Sequence, residues 1–416
     1  MKILIRSTRK IKSLLIGLSK YLNAIVRLIS QFLNFRCADI IVIMQQGGFG
    51  HTVKTCDISR RLYPKKSIFV LCICGENRYN PYTKYIWGPG INVSFIELSW
   101  QSYWFVSFHW IAKIFLILTK NKKTRIFLNA EDFREELRPL VPIRAYELPY
   151  ELNIAWVAGY FALIDRTKDI LPPCLNDKLS VEIEHALGLN GNNKIAVFYV
   201  RQKGGDITAS SRSGSPLENY FKTFQYLSDI GYSIFLTGDY EYDTKNGKLK
   251  AHIYTKEYAK AKGVNPDLFQ LYAVARASLC ISESGGGAWL PMIFNKPHLC
   301  INAFPYWYAM KDAWIYPKRV KNSTSEYLKN DDLFGRLLYK HDVGYGLSLE
   351  NNSSLEIFEA LCEFIEVTRQ MPIPRKENRC IPARETWYNY SEAAILRCWF
   401  RDKTATYLTT QPSLAN

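Results

Sequence analysis

The chain has 416 residues, which at roughly 150 residues per domain points to two or three domains. Hydrophobic residues make up 48% and charged residues 22%, the balance of a folded globular protein, and this excludes global disorder. The net charge is +16, yet residues 1 to 36 alone carry eight Lys or Arg and no acid, leaving 46 basic against 38 acidic residues elsewhere: a localised basic arm, not a uniformly basic protein.

Within that arm Ile11, Leu14, Leu15, Leu18, Leu22, Ile25, Ile29 and Phe32 recur at helical spacing, with Lys12, Lys20 and Arg27 between them. The pattern predicts an amphipathic helix over residues 1–37 that lies on an anionic membrane surface. Charges interrupt it too often for a spanning helix, and no small-residue cleavage site marks a signal peptide. The expected location is cytoplasmic, peripheral on the inner face of the cytoplasmic membrane. The alternative is a helix packed on the protein's own core. A second apolar stretch, Trp100 to Lys120, reads equally as an interfacial anchor or as a buried helix.

From Ala38 strands and helices alternate. "ADIIVIM", "SIFVLCIC", "INVSFIEL" and "TRIFLN" read as strands, and "HTVKTCDISRRLY" as a helix. Apolar strands separated by helices predict a parallel sheet covered on both faces. This gives an N-terminal Rossmann-like domain over 38–190, its stretch from about 138 to 193 being less regular. The alternation restarts with strands "KIAVFYV", "YSIFLTGD", "SLCIS" and "PHLCIN". Helix "NPDLFQLYAVARA" carries Asn265 as its cap and Pro266 at its first position. Helix "SLEIFEALCEFIEVTRQ" closes a C-terminal Rossmann-like domain over 191–370. A Pro-rich stretch, a last helical segment "YSEAAILRCWF" and a loose tail fill 371–416. The expected fold class is α/β, with two Rossmann-like domains facing a cleft.

The ten Cys show no zinc spacing, so reduced, buried thiols are expected. Asp239, Glu241 and Asp243 read as a polar loop, not a metal site. No basic and aromatic interleaving in the folded part suggests nucleic acid.

Three glycine-bearing turns follow strands, where open α/β sheets bind ligands. In "QQGGFGH", Gly47, Gly48 and Gly50 expose backbone amides at a helix start, and His51 has the reference pKa of a general base. The spacing is neither a dinucleotide fingerprint nor a P-loop. In "YVRQKGGDITASSRSGS", Arg201 ends a buried strand, and Lys203 and Arg212 follow; guanidinium and ammonium groups at a strand end suit a diphosphate. In "ISESGGGAWLPM", the amides of Gly285, Gly286 and Gly287 and the hydroxyls of Ser282 and Ser284 suit phosphate, while Glu283 suits a ribose or sugar hydroxyl.

The order of these blocks over residues 38 to 310, with "GYSIFLTGD" and "DLFQLYAVARASLCISESGGGAWLPMIFNKPHLCIN", resembles the GT-B glycosyltransferases of bacterial surface-polysaccharide assembly. The resemblance implies a nucleotide-sugar donor, as a substrate and not a cofactor, in the C-terminal domain. It implies a glycan or lipid-linked acceptor against the N-terminal domain, and no metal. Arg201 and the Ser284–Gly287 turn would hold the diphosphate, Glu283 would sit near the ribose or sugar, and His51 would face the reacting centre. Many retaining members carry two Glu eight positions apart; eight after Glu283 stands Pro291, so inversion is the expected outcome. Competing readings are a sugar-nucleotide epimerase or pyruvyl transferase on the same architecture, and a non-catalytic membrane-bound assembly protein with a degenerate donor site.

Overall fold

The computed structural model describes residues 2–45, 49–75, 79–98, 103–128, 136–140, 151–190, 193–201, 214–240, 251–304, 310, 313–328, 346–370 and 399–400. Gly47, Gly48, Lys203, Arg212, Glu241, Asp243 and the Pro-rich stretch after Gln370 lie outside the described residues. Contacts divide the chain into two units, Met1–Glu136 and Leu137–Asn416.

The first unit opens with α1 (Lys2–Ser30) and the short α2 (Phe32–Arg36). Strand β1 (Ile40–Gln45) precedes α3 (Phe49–Leu62). Then come β2 (Ile68–Cys74), β3 (Ile91–Glu97), α4 (Tyr103–Thr119) and β4 (Arg125–Phe127). The sheet order is β3-β2-β1-β4, with every neighbour parallel. Every residue of β2 is buried, which is why its sequence is one continuous apolar run. On one sheet face Ile41, Ile43, Phe69, Leu71, Ile73 and Ile96 pack with Tyr21, Ala24 and Leu28 of α1 and Phe108, Ala112 and Leu116 of α4. Helix α1 thus buries one face on its own domain, the alternative left open by the sequence, while its Leu18, Leu22, Val26 and Ile29 stay exposed. Among the described residues no helix is long and apolar enough to cross a membrane.

The second unit holds β5 (Lys194–Arg201), β6 (Tyr232–Asp239), β7 (Ile253–Tyr254), β8 (Leu279–Ser282), β9 (His298–Ala303), β10 (Trp314–Pro317) and β13 (Trp399–Phe400). Their order is β13-β10-β9-β8-β5-β6-β7, again all parallel. Strands β11 (Arg319–Lys321) and β12 (Ser348–Glu350) form a separate antiparallel ribbon. The helix Pro266–Arg276 starts as its sequence predicts, Asn265 Oδ1 accepting the Asp267 N–H at 2.9 Å.

Two expectations differ from the structure. The stretch read as irregular contains helices Glu151–Arg166 and Asp177–Leu187, and it groups with the second unit instead of ending the first at residue 190. Tyr160 stacks on Trp289 with ring centroids 6.1 Å apart, and Glu184 pairs with Arg276 at 3.1 Å. Trp399 and Phe400, expected in a helix, instead pair with Trp314 and Ile315 at the sheet edge.

Candidate functional site

In the second sheet the chain leaves β5 for β6 and β7 on one side, then returns to lay β8, β9 and β10 on the other. The strand order therefore reverses between β5 and β8, and connections diverge from their carboxyl ends. Open α/β sheets bind ligands in the crevice made there. Arg201 ends β5, half-buried, and Ser282 ends β8, paired in register with Tyr199. The sequence thus brings Arg201 and the Ser282–Gly287 turn to one switch point. The first sheet has the same topology, with an exposed His51 in the first turn of α3, the helix that follows β1; Gly50 beside it is buried.

Glu283 does not offer its carboxylate to the crevice. It is 1% exposed, and four donors surround it. Oε2 accepts the backbone N–H of Arg201 at 2.6 Å, and Oε1 accepts that of Ser215 at 2.9 Å. Asn302 Nδ2 donates to Oε1 at 2.9 Å, and the Tyr220 hydroxyl donates to the same oxygen. Burial pushes the Glu283 carboxyl above its ordinary range, and these hydrogen bonds oppose that shift. The expected contact with a ribose or sugar hydroxyl is thus replaced by an inward, structural one. Arg201 and Ser215 flank in sequence the segment that contains Lys203 and Arg212, and the Gly214 N–H donates to the Arg201 carbonyl at 2.7 Å. Glu283 therefore ties together the residues on either side of that segment. Gly214 has to be glycine: a Cβ there would lie 1.7 Å from Glu283 Oε2.

The network continues through Asn302 and Asn352, which exchange backbone-to-side-chain hydrogen bonds at 2.7 and 2.6 Å. The Ser215 hydroxyl donates to the Asn352 carbonyl at 2.9 Å. Asn302 holds a left-handed backbone, φ 50°, a conformation asparagine tolerates better than other side-chain-bearing residues. Lys318, directly after β10, is 1% exposed, and burial lowers its pKa to about 8, partly offset by the Glu283 charge. The signal for Lys318 in the sequence is a Lys directly after an apolar strand, the same kind of signal that singles out Arg201.

The triple glycine is largely enclosed. Gly285 and Gly287 are buried and Gly286 is half-buried. A Cβ on Gly287 would lie 2.4 Å from the Tyr199 ring, and one on Gly285 would lie 2.9 Å from the Tyr199 hydroxyl. Close approach of this ring accounts for both glycines, and the Gly287 N–H is engaged by the Tyr199 phenol. The Ser284 hydroxyl accepts the Phe304 N–H at 3.2 Å, and the Ser282 hydroxyl lies 2.6 Å from His298 Nε2. His298 is buried, its pKa pushed down to about 3, and is therefore neutral near pH 7. Of the turn's expected phosphate contacts, Gly286 alone is part-exposed. Among the described residues no group of three or more His, Cys, Asp or Glu comes together as a metal site.

No protein-family model and no curated protein matches the chain. Among solved structures, the chain is similar to a family 9 glycosyl transferase from Veillonella parvula, at 12% identity and TM-score 0.44, over 79% of this chain and 97% of that one. It is also similar to the E. coli ADP-heptose lipopolysaccharide heptosyltransferase II, at 12% identity and TM-score 0.39, over 79% and 99%. E. coli heptosyltransferase WaaC, solved with ADP-2-deoxy-2-fluoro heptose, matches at 12% identity and TM-score 0.38, over the same shares. Likeness this distant says nothing of chemistry.

Proposed function

We propose that the chain is a GT-B glycosyltransferase that moves a sugar from a nucleotide-sugar donor to a membrane-associated glycan or lipid-linked acceptor. The observation that carries this reading is the position of Arg201 at the strand-order reversal, its main chain held by Glu283. In this reading Arg201, with Lys203, Arg212 and the Gly286 amide, holds the donor diphosphate. Their positive charge stabilises the leaving group as the bond from the anomeric carbon to the diphosphate oxygen breaks. His51 takes the proton of the acceptor hydroxyl as that oxygen bonds to the same carbon. The basic, amphipathic α1 keeps the enzyme at the leaflet that carries its acceptor. The test is product analysis after incubation with a panel of nucleotide sugars and membrane lipid acceptors. A glycosylated lipid or glycan with release of nucleoside diphosphate is expected; absence of transfer from every donor would overturn the proposal.

The enclosed glycine turn favours one second reading, an assembly protein that binds no donor. Nucleotide-dependent thermal stabilisation separates the two, since a ligand that binds only the folded chain must raise its melting temperature.

A further inference from the structure

Helix α4 shows two unlike faces. Phe108, Ala112 and Leu116 are buried on the sheet, and Tyr21 of α1 meets Phe108 edge-on with ring centroids 6.0 Å apart. The opposite side presents Val106, Trp110, Ile114 and Ile117, all exposed, with Trp110 at 60%. Helix α1 presents Leu18, Leu22, Val26 and Ile29, also exposed, with Val26 at 63%. The two stripes share one spacing, i, i+4, i+8 and i+11, so each runs straight along its helix. Both helices pack on the same sheet face and against each other, which makes their outward sides neighbours. A solvated helix carries polar residues on its outer face; these two carry apolar ones side by side.

Charge selects the occupant. Residues 103–123 contain Lys113, Lys120, Lys122 and Lys123 and no acid, and residues 1–36 contain eight cations and no acid. Lys113 Nζ sits over the Trp110 ring, 5.3 Å from its centroid. A second copy would set like charge against like charge, whereas an anionic leaflet offers both hydrocarbon and countercharge. Trp beside Lys is the pairing found where a helix meets the headgroup boundary.

We propose that α1 and α4 form one two-helix docking surface for an anionic lipid leaflet, with Trp110 and Ile114 entering the acyl boundary. This rests on the membrane attachment proposed above and adds a second helix to it. The full chain is mixed with vesicles of phosphatidylcholine alone and with phosphatidylglycerol added, using brominated acyl chains as fluorescence quenchers. Binding should require phosphatidylglycerol, and the bromine-quenched signal should fall in Trp110→Phe. The pair Ile114→Asp and Ile117→Asp, both at exposed positions, should weaken vesicle binding about tenfold or more while the melting temperature holds. Binding with no quenching of Trp110, and no effect of the paired substitutions, would overturn the role of α4 and leave α1 attachment standing. Absence of binding to every vesicle would overturn both. Loss of a dimer in the paired variant with vesicle binding intact would assign the face to a second copy and overturn the proposal. Thermal stabilisation by nucleotide sugar, measured on the same variant without vesicles, should be unchanged, so failure of docking is separable from failure of the donor reading.

Discussion

Glu283 Oε2 accepts the backbone N–H of Arg201 at 2.6 Å, across 82 residues of sequence. The contact uses the Arg201 main chain and not its guanidinium. In the proposed function the guanidinium holds the donor, so substitutions at Arg201 and Glu283 should have opposite signatures.

Arg201→Ala keeps the N–H that Glu283 binds. It should lower turnover about 10²–10³-fold, the cost typical of removing one preorganised donor from a developing charge, and leave the melting temperature within a degree or two. Turnover and thermal unfolding measured on one preparation check this.

Glu283→Ala strips four donors of their acceptor in a buried site. A loss of about 3–5 kcal/mol in urea unfolding is expected. Glu283→Gln is milder and more informative. Oε1 collects three of the donors and Oε2 one, so the amide nitrogen should replace Oε2 and oppose only the Arg201 N–H. A cost of about 1–3 kcal/mol is expected, with faster hydrogen exchange at the Arg201 amide.

The reading of the triple glycine has its own check. Gly287→Ala places a methyl group against the Tyr199 ring and should cost about 1–3 kcal/mol through overpacking. In a Tyr199→Ala background the same change should cost little. A double-mutant cycle with no coupling would return the glycines to some other role.

Lys318 gives the pH prediction. Its folded pKa is lowered from 10.5 to about 8. Below pH 8 both folded and unfolded chains carry the proton, and the cost of burying the cation is fully present. Between about 8 and 10.5 the unfolded chain binds more protons, so stability rises with pH across that window, by a total on the order of 3 kcal/mol. Other groups titrate there too, so the quantity to measure is the difference in urea midpoint between wild type and Lys318→Met. That difference should widen in the variant's favour as pH falls toward 8 and then level off.

The strands were legible because each is a short apolar run between turn residues. "YSIFLTGD" is β6 residue for residue, and the cap and proline at Asn265 and Pro266 set the helix start. The place of Arg201 at the carboxyl end of β5 was legible because the charge closes a continuous apolar run. Glu283 was found but misread: its partners Ser215 and Asn302 lie 68 and 19 positions away, and a sequence does not show which way a carboxylate turns. Gly285 and Gly287 were likewise read as open amides, because nothing local announces that the Tyr199 ring lies over them. The helices between 151 and 187 were placed with the first unit because chain order was the only guide; their aromatic and ionic partners, Trp289 and Arg276, come 129 residues after Tyr160 and 92 after Glu184.

The central claim is that a nucleotide sugar binds at the β5–β8 reversal through Arg201. Hydrogen–deuterium exchange with and without a panel of nucleotide sugars tests it most directly. At least one donor should protect the peptides that span residues 201–215, and Arg201→Ala should abolish that protection. Unchanged exchange in those peptides with every donor, or protection that survives Arg201→Ala, would contradict it.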